Sequence, residues 1–389
     1  MVTLIVTTGK GSQDLYSQKL AENLDVPKIY TDIYQKSCEL FNIPLLSKAS
    51  LKTIWCDLHF IEMLNKLYGV VHLPNQHLGR YGLFLRKPYI ITVHDLIRYF
   101  DLKGYDVLIH RPNLRDKFYL SLDYKGIKKA SKIIAVSYAT KRDLVHYLGI
   151  PEERIAVIHE GIDRKIFKPI PHRPMPYPYI LYVGSEHPRK NLSTLLKAFS
   201  RLKQESDFKD LKLVKVGKAG GGEVDFRKET LWTIETLNLR NEVIFTEYVS
   251  NEELGAYYSN AECFVFPSLC EGFGFPPLEA MSCGCPVISS NVSSLPEVVG
   301  EAAIQVNPRD IDELVKAVQE VLTNKDLRKK VIQEGFKQAR KFSWEYAAQK
   351  TLQVHQEMEE KLRNYKAKRY FDYFAFLFPG GRAGKPKEG

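Results

Sequence analysis

Two glutamates with seven residues between them, Glu271 and Glu279, stand in the otherwise apolar segment LCEGFGFPPLEAMSCGCPVI. A carboxylate has two acceptor oxygens and suits the two hydroxyl donors of a vicinal diol. Two such groups on one loop could therefore bind two diols, one on a hexose and one on a ribose. The alternative is structural, with Glu279 favouring the helix dipole and Glu271 solvated.

The loop between the two glutamates is predicted to bring backbone amides to a ligand. ECFVFPS has the pattern of a strand, and PPLEAMSCG that of a helix with prolines in its first turn and Gly284 as its C-cap. The N–H groups of Gly272, Phe273 and Gly274 can then face an anion or sugar oxygens. Glycine also permits close approach of a ligand to the chain.

Two cations, Arg189 and Lys190, lie in VGSEHPRKN just before a helix that is predicted to start near Asn191. Cations at a helix N-terminus are repelled by its dipole, so they need an anion nearby. A diphosphate would serve. The alternative is that both bases are simply exposed on a loop.

The first half of the chain supplies two further candidates. His94 in ITVHDL ends a predicted buried strand, where a histidine can be catalytic or structural. Gly9 and Gly11 in TTGKGS form a turn after the first predicted strand, with the shape of a phosphate loop. The spacing matches neither the Walker nor the dinucleotide-binding pattern, so this motif alone is weak.

The elements that must position these residues alternate along the chain. Ten short apolar runs are predicted strands, with helical patterns such as NLSTLLKAFSRLKQE between them, which predicts a doubly wound α/β architecture. The stretch KPIPHRPMPYPY (168–179) holds five prolines and predicts a stiff linker. We therefore expect two Rossmann-like domains, 1–170 and 171–342, with a cleft at the carboxyl ends of their strands. A C-terminal helical region, 343–389, is expected to pack back across the first domain.

The composition limits the class of protein. With 44% apolar and 26% charged residues, the chain is expected to be globular. Its sequence shows neither a membrane-spanning run nor a signal peptide, and its six cysteines lack zinc or redox spacing, which predicts a cytoplasmic protein.

The net charge of +10 fits an anionic substrate, a nucleic acid or an anionic membrane surface. The bases are spread along the chain rather than gathered in one arm, which argues against a nucleic-acid partner. The tail at 366–389 joins bases to an aromatic cluster. It could lie at the inner face of the membrane, in the bilayer interface, or pack on its own domain.

Together these segments resemble glycosyltransferase family 4, the retaining nucleotide-sugar transferases of GT-B fold. The resemblance covers nearly the whole chain and is strongest in residues 179–310. There VGSEHPRKN, VGKAGG, the segment with the two glutamates and VNPRD follow in the family's order. AVSYATKRDL and VIHEGID resemble the elements that close the family's first domain. The rest of the first domain, the half that recognises acceptors in the family, is less similar.

The resemblance implies a catalytic role for four residues. Arg189 and Lys190 would neutralise the diphosphate leaving group. Glu271 would hold the donor sugar together with loop amides, and His94 would sit near the anomeric centre and the 6-position of the sugar. GT-B, with two Rossmann-like domains whose parallel sheets face each other across a cleft, is the implied fold.

Further positions are implied to bind the donor. Glu279 would hold the ribose hydroxyls. The others are glycines and one phenylalanine: Gly9, Gly11, Gly184, Gly217, Gly272, Phe273 and Gly274. The match is looser at Gly9 and Gly11, because many family members have adjacent glycines there.

The implied reaction is transfer of a hexose with retention, without a cofactor and without a metal, because no Asp-x-Asp pattern lies in a suitable loop. GDP-mannose is the expected donor, with UDP-glucose or another UDP-hexose as the alternative. The expected acceptor is a glycan, a glycolipid or a small molecule. A nucleotide-sugar-binding protein without catalysis, a GT-B phosphorylase or epimerase, and a basic nucleic-acid-binding or membrane-binding protein are the competing hypotheses.

Overall fold

The computed structural model describes most of the chain, apart from four internal stretches and the end of the tail. The described ranges are 1–9, 11–31, 49–105, 108–220 and 225–377. Side chains are described throughout these ranges except at 49–54 and 366–377. The aromatic cluster of the tail lies outside the described side chains.

Six parallel strands form the first sheet. They are β1 (Val2–Thr7), β2 (Lys28–Thr31), β3 (Val70–Leu73), β4 (Tyr89–Val93), β5 (Lys132–Ala135) and β6 (Ile155–Val157). Their order across the sheet is β2-β1-β3-β4-β5-β6. All six residues of β1 are buried, as expected for a strand covered on both faces.

A second sheet of six parallel strands follows. They are β7 (Tyr179–Val183), β8 (Lys212–Val216), β9 (Val243–Thr246), β10 (Cys263–Phe266), β11 (Val287–Ser290) and β12 (Ile304–Val306). Their order is β12-β11-β10-β7-β8-β9. The predicted fold, with two parallel-sheet α/β units, is confirmed. The predicted linker at 168–179 lies almost entirely in the connection between β6 and β7.

Helices cover both sheets. Those in the first half are α1 (Ser12–Asn23), α2 (Ala49–Lys66), α3 (Gly79–Gly82), α4 (Ile97–Lys103), α5 (Leu114–Lys129) and α6 (Tyr138–Leu148). Those in the second half are α7 (Leu192–Leu202), α8 (Phe226–Thr236), α9 (Asn251–Asn260), α10 (Phe275–Ser282), α11 (Leu295–Val299), α12 (Ile311–Thr323), α13 (Lys325–Ala339) and α14 (Trp344–Leu377).

Helix α7 illustrates why these segments are helical. Its buried apolar residues include Leu192, Leu195, Leu196, Phe199 and Leu202, which fall on one face at helical spacing. They join a core with α12 and strands of the second sheet. Burial of such a face, rather than intrinsic propensity, supplies most of the stability of a helix of this length.

Capping residues set the helix boundaries, one of which differs from the prediction by one residue. Ser250 is the N-cap of α9, where its hydroxyl oxygen accepts from the N–H of Glu253. The C-cap of α10 is Cys283, and Gly284 follows it with a φ of 78°. Glycine suits that left-handed position because it has no Cβ.

The chain crosses between the two halves at two segments that touch. A Cβ atom at Gly161 would lie 2.2 Å from the backbone nitrogen of Trp344, so only glycine fits this crossing. Beyond it, α14 packs on the first sheet: Val354 and Met358 share a core cluster with Val2. The second sheet is thereby held against the first by two adjacent chain segments.

Candidate active site

A cavity of about 310 Å³ lies between the two halves and is lined by residues of both. It contains eight of the predicted site residues: His94, Arg189, Lys190, Glu271, Gly272, Phe273, Gly274 and Glu279. They converge because the carboxyl ends of the strands in each parallel sheet lie along one edge, and His94, Arg189 and Glu271 all lie in loops that follow such strands.

Glu271 is paired with both predicted cations. Its Oε2 lies 2.7 Å from Nη1 of Arg189, and its Oε1 lies 2.7 Å from Nζ of Lys190. All three side chains are mostly buried. The carboxylate therefore neutralises one of the two positive charges, and a diphosphate would enter next to a cluster with a net charge of +1.

The charges of Glu271, Arg189 and Lys190 shift one another's pKa values. Burial favours the neutral carboxyl of Glu271, but Arg189 and Lys190 outweigh burial and lower its pKa to about 2. Burial also lowers the pKa of Lys190, and the charge of Glu271 opposes this only in part. Glu271 is thus ionised at any physiological pH.

Two serines hold the loop that carries Glu271. Ser293 Oγ accepts from the backbone N–H of Glu271 at 3.1 Å and donates to its carbonyl oxygen at 2.7 Å. Ser294 Oγ donates to the carbonyl oxygen of Phe273, also at 2.7 Å. Gly274 is the N-cap of α10 and has a φ of 124°, a value that residues with a side chain rarely adopt. The loop is therefore held in one conformation before any ligand arrives.

Glu279 lies in α10, where it lines the cavity. Tyr258 donates its hydroxyl hydrogen to Glu279 Oε2 at 2.9 Å. Burial raises the pKa of Glu279 to about 7, while Tyr258 and the charge of Lys190 act in the opposite direction. This carboxyl can therefore exchange its proton near neutral pH, which Glu271 cannot.

His94 reaches the cavity from the first sheet, directly after β4. Its Nδ1 lies 2.9 Å from Oε1 of Glu160, and its Nε2 lies 3.0 Å from the carbonyl oxygen of Pro74. Burial lowers its pKa, but the carboxylate of Glu160 outweighs burial, and the net shift is upward. Both ring nitrogens therefore have protein partners.

The remaining predicted glycines lie outside the cavity wall. Gly184 and Gly217 directly follow β7 and β8 and have φ values of 152° and 111°. A Cβ atom at Gly217 would lie 3.1 Å from the carbonyl oxygen of Gly184, so the two turns pack on each other. Gly11 is the N-cap of α1 and donates to Asp14 Oδ2, and Gly9 is also crowded by Asp14. Their roles toward a donor stay predictions.

Several residues of the cavity wall were not selected from the sequence: Ser12, Gln13, Asp95 and Glu160. Asp95 immediately follows His94, and Glu160 lies in VIHEGID, after β6 of the same sheet. Examining every polar residue that follows a predicted strand would have found both acids.

The described residues offer neither an evident metal site nor a membrane span. In these ranges, His, Cys, Asp and Glu side chains do not form a group of three that could hold a metal ion. Among the described helices, none is long and apolar enough to cross a membrane. Metal independence of the reaction stays a prediction.

Two family models match the chain. "Glycosyltransferase Family 4" matches residues 33–165, and "Glycosyl transferases group 1" matches residues 163–338. The MMP alpha-(1->4)-mannosyltransferase of Mycolicibacterium hassiacum is 31% identical over 299 residues, which are 74% of this chain and 70% of that protein. The chain belongs to glycosyltransferase family 4. This confirms the family that its motifs predicted.

Other relatives of this family 4 chain are also named as mannosyltransferases. The O-antigen chain mannosyltransferase B of Escherichia coli is 31% identical over 256 residues, 63% of this chain. The serotype-specific mannosyltransferase WbdA of Escherichia coli is 30% identical over 269 residues, 66% of this chain. The matches span 66% of the first protein and 32% of the second.

Solved structures similar to this family 4 chain show the same fold. A sucrose-phosphate synthase from Thermosynechococcus elongatus has a TM-score of 0.72 at 22% identity, covering 92% of this chain and 98% of its own. Anabaena HepE in complex with UDP-glucose has a TM-score of 0.69 at 18% identity, covering 93% and 99%. At these identities the likeness concerns the fold alone.

Proposed function

We propose that this protein is a retaining hexosyltransferase that moves mannose from GDP-mannose to a glycan, glycolipid or small-molecule acceptor. The observation that carries the proposal is the cluster of Glu271, Arg189 and Lys190, at 2.7 Å separations, on the wall of an interdomain cavity. Residues 171–342 would bind the donor, and residues 1–170 the acceptor.

Arg189 and Lys190 are proposed to stabilise the departing diphosphate. Negative charge grows on the leaving group as the bond to the anomeric carbon breaks, so cations already in place bind the transition state more tightly than the ground state. Glu271 would then accept hydrogen bonds from the hydroxyls of the transferred sugar, with Phe273 and Gly274 contributing amides. Glu279 would bind the ribose diol.

Retention is proposed to follow from substitution on one face of the sugar. A short-lived ion pair forms as the diphosphate leaves, and the acceptor oxygen bonds to the same face of the anomeric carbon. An oxygen of the diphosphate takes the proton of the acceptor hydroxyl, so atoms and charge balance without an enzymic nucleophile. Approach of the two domains would exclude water and limit hydrolysis.

The choice of mannose rests on the names of the relatives, since the family 4 proteins that this chain matches at 30–31% identity are called mannosyltransferases. UDP-glucose is the second candidate, because HepE binds it on the same fold. The base would lie near residues 247–250, where Glu247 Oε1 is 3.0 Å from Nη1 of Arg227.

A donor screen tests the proposal. The protein is incubated with GDP-mannose, UDP-glucose and other GDP- and UDP-hexoses, with and without candidate acceptors, and the anomer of the product is determined. Turnover of GDP-mannose with retention is expected. Turnover of a UDP-hexose alone would replace the donor assignment, and binding of a nucleotide sugar without turnover by any acceptor would support the non-catalytic alternative.

Metal independence is proposed because Arg189 and Lys190 can supply the charge that a divalent ion supplies in other sites. Chelation with EDTA is expected to leave turnover unchanged. Restoration of a lost activity by added Mg²⁺ or Mn²⁺ would contradict this part of the proposal.

The tail at 366–389 is proposed to contact an anionic membrane surface, which would bring the protein to a lipid-linked acceptor. Its bases and aromatic residues support this. A chain that ends at residue 365 should sediment less with anionic vesicles than the full chain does. Equal sedimentation of the two chains would contradict membrane contact by the tail.

A further inference from the structure

Glu160 is a buried carboxylate on the cavity wall that the motifs did not point to. It follows β6, its exposed fraction is 2%, and it lines the cavity. The residue before it, His159, contacts Glu297 of the second half of the chain. Glu160 instead contacts the ring of His94, a residue of the same half.

The partners of the ring determine where its protons are. The carbonyl oxygen of Pro74, 3.0 Å from Nε2 of His94, can only accept, so Nε2 carries a hydrogen. Nδ1 lies 2.9 Å from Oε1 of Glu160, and two lone pairs at that distance would repel. The contact is therefore an ion pair, in which Nδ1 also carries a hydrogen. Both ring nitrogens then face acceptors of the protein, and neither is free to take a proton from a substrate.

The other groups around the ring are consistent with an imidazolium. Tyr16 packs edge-on against it, with ring centroids 4.8 Å apart. Asp95 is its chain neighbour, and its charge also raises the pKa of His94. The remaining charged or titratable groups of the cavity wall come from the second half: Arg189, Lys190, Glu271 and Glu279. Glu160 is the carboxylate whose oxygen lies within 3 Å of the ring.

We propose that Glu160 is a positioning residue for the reaction: it holds the ring of His94 between two acceptors, so that His94 takes no proton from the acceptor substrate and presents its main chain at a fixed place. The carbonyl oxygen of His94 accepts from Oγ1 of Thr140 at 3.0 Å and lies against Gly272 of the donor loop. Glu160 thus orients, through His94, the contact between the two halves of the site.

The kinetic consequence rests on the proposed function, whereas the protonation of the ring does not. Two variants separate orientation from charge. In Glu160→Gln the amide can donate to a neutral Nδ1, so the ring keeps both contacts and loses its charge. In Glu160→Ala the contact at Nδ1 is lost. His94→Gln, which removes the ring, serves to assign the signal.

The first measurement is NMR of the full chain with isotope-labelled histidine. In the wild type, His94 is expected to be a doubly protonated imidazolium at neutral pH and to titrate above its ordinary pKa of about 6.5. In Glu160→Gln it should titrate below that value with the hydrogen on Nε2. A neutral His94 in the wild type at neutral pH, or the same titration in both proteins, would overturn the proposal. This measurement needs no substrate, so it stands even if the hexosyltransferase proposal fails.

The second measurement is steady-state kinetics with the donor that the screen selects. Glu160→Ala is expected to lower kcat by about a hundredfold, the effect of a misplaced catalytic contact, with little change in the KM of the donor. Glu160→Gln should keep kcat within about threefold of the wild type, because orientation is retained. Unchanged kcat in Glu160→Ala, or an equal loss in both variants, would contradict a positioning role.

Glu262→Gln is the matched control. Glu262 precedes β10, at the opposite end of that strand from Glu271, and pairs with Arg328 at 3.2 Å. The same substitution there should change neither the His94 titration nor kcat. Thermal unfolding of each variant reports whether the fold is intact. If Glu160→Ala does not fold, the NMR comparison of the wild type with Glu160→Gln still decides the proposal.

Discussion

Gly272 lies against the carbonyl oxygen of His94: a Cβ atom at position 272 would be 2.1 Å from that oxygen. The two residues belong to different halves of the chain, one in the loop after β10 and the other in the loop after β4. Thr140 reinforces the contact, because its Oγ1 lies 3.0 Å from the carbonyl oxygen of His94 and 3.4 Å from that of Gly272. The donor loop and the first domain therefore meet at a point where a side chain does not fit.

Gly272→Ala should push the donor loop away from His94 of the first domain. Its methyl group would collide with main-chain atoms of His94, which cannot move as a flexible side chain can. We expect kcat to fall by about a hundredfold, with little loss of nucleoside diphosphate affinity if the second domain binds it alone. Kinetics and calorimetry with GDP and UDP measure the two effects.

Gly255→Ala is the control for this substitution. Gly255 lies in α9, and an added methyl group would come closest to the flexible end of Ile170, with the carbonyl oxygen of Ile166 and Sγ of Cys283 at ordinary contact distances. It should leave kcat unchanged and can stabilise the helix slightly. Wild-type kcat in Gly272→Ala would mean that the close contact of this structure is not needed for turnover.

Removal of both cations should abolish transfer. In the Arg189→Ala, Lys190→Ala double variant, turnover is expected to fall by roughly a thousandfold, because the charge on the leaving diphosphate is no longer stabilised. The variant also leaves the Glu271 carboxylate buried without a partner, at a cost of about 3 kcal/mol in the free energy of unfolding. Turnover and urea unfolding measure the two losses separately.

Adding Glu271→Gln to the double variant tests this explanation. The extra change removes the unpaired charge, so the free energy of unfolding should recover while turnover does not. Lys197→Ala, on the exposed side of α7, is the control that should change neither quantity. Turnover near the wild-type value in the double variant would exclude these cations from catalysis.

The sequence located the donor loop well because its chemistry is local. Glu271 and the α10 prolines lie in one continuous segment, and Arg189 follows a neighbouring strand of the same sheet. The pairing of His94 with Glu160 depends instead on β4 and β6, which are separated by β5 in the sheet. Those two loops come together only through the order of the strands in the sheet, which cannot be read from the sequence motifs.

Two strands were missed for a related reason. β2 and β12 are edge strands of four and three residues, and each is only partly buried. They therefore lack the continuous apolar run that marks a central parallel strand.

The sequence alone also does not tell whether a glycine is needed to bind a ligand or to form a turn. Gly184 and Gly217 have positive φ values, and their turns pack against each other.

Binding of the donor nucleotide should depend on pH through Glu279. Its pKa is raised by burial to about 7, and a ribose diol donates best to the ionised carboxylate. Affinity for GDP or UDP is therefore expected to rise between about pH 6 and about pH 8. Calorimetry across this range measures it. The same measurement on Glu279→Gln shows how much of the pH dependence of the affinity comes from titration of the nucleotide itself.

The same carboxyl should affect stability with a known sign. An unfolded Glu279 would lose its proton near pH 4.5, whereas the folded one keeps it up to about pH 7. Between these values the unfolded chain binds fewer protons, so the free energy of unfolding falls as pH rises. Glu279→Gln should remove this part of the slope. An identical slope in both proteins would mean that Glu279 is not buried as described.

Glu297 is expected to stabilise the contact between the two halves of the chain. Its carboxylate accepts from the backbone N–H groups of Tyr138 and Ala139 at 2.8 and 2.9 Å, and lies 3.0 Å from Nε2 of His159. Burial favours its neutral form, but these partners outweigh burial and lower the pKa of Glu297. Its contribution to stability should therefore be complete above about pH 4.5 and be lost as pH falls through the lowered value.

A double-mutant cycle with Glu297→Ala and His159→Ala measures the coupling energy between these two side chains. A coupling energy of about 1 kcal/mol is expected for side chains in direct contact. Hydrogen exchange at the amides of Tyr138 and Ala139 should accelerate in Glu297→Ala, because they lose their acceptor. Glu301→Ala, an exposed glutamate close by, should alter neither. If these amides remain protected from exchange in Glu297→Ala, the first turn of α6 is held without the second domain. A coupling energy of zero would mean that Glu297 and His159 are close together but that their contact does not stabilise the protein.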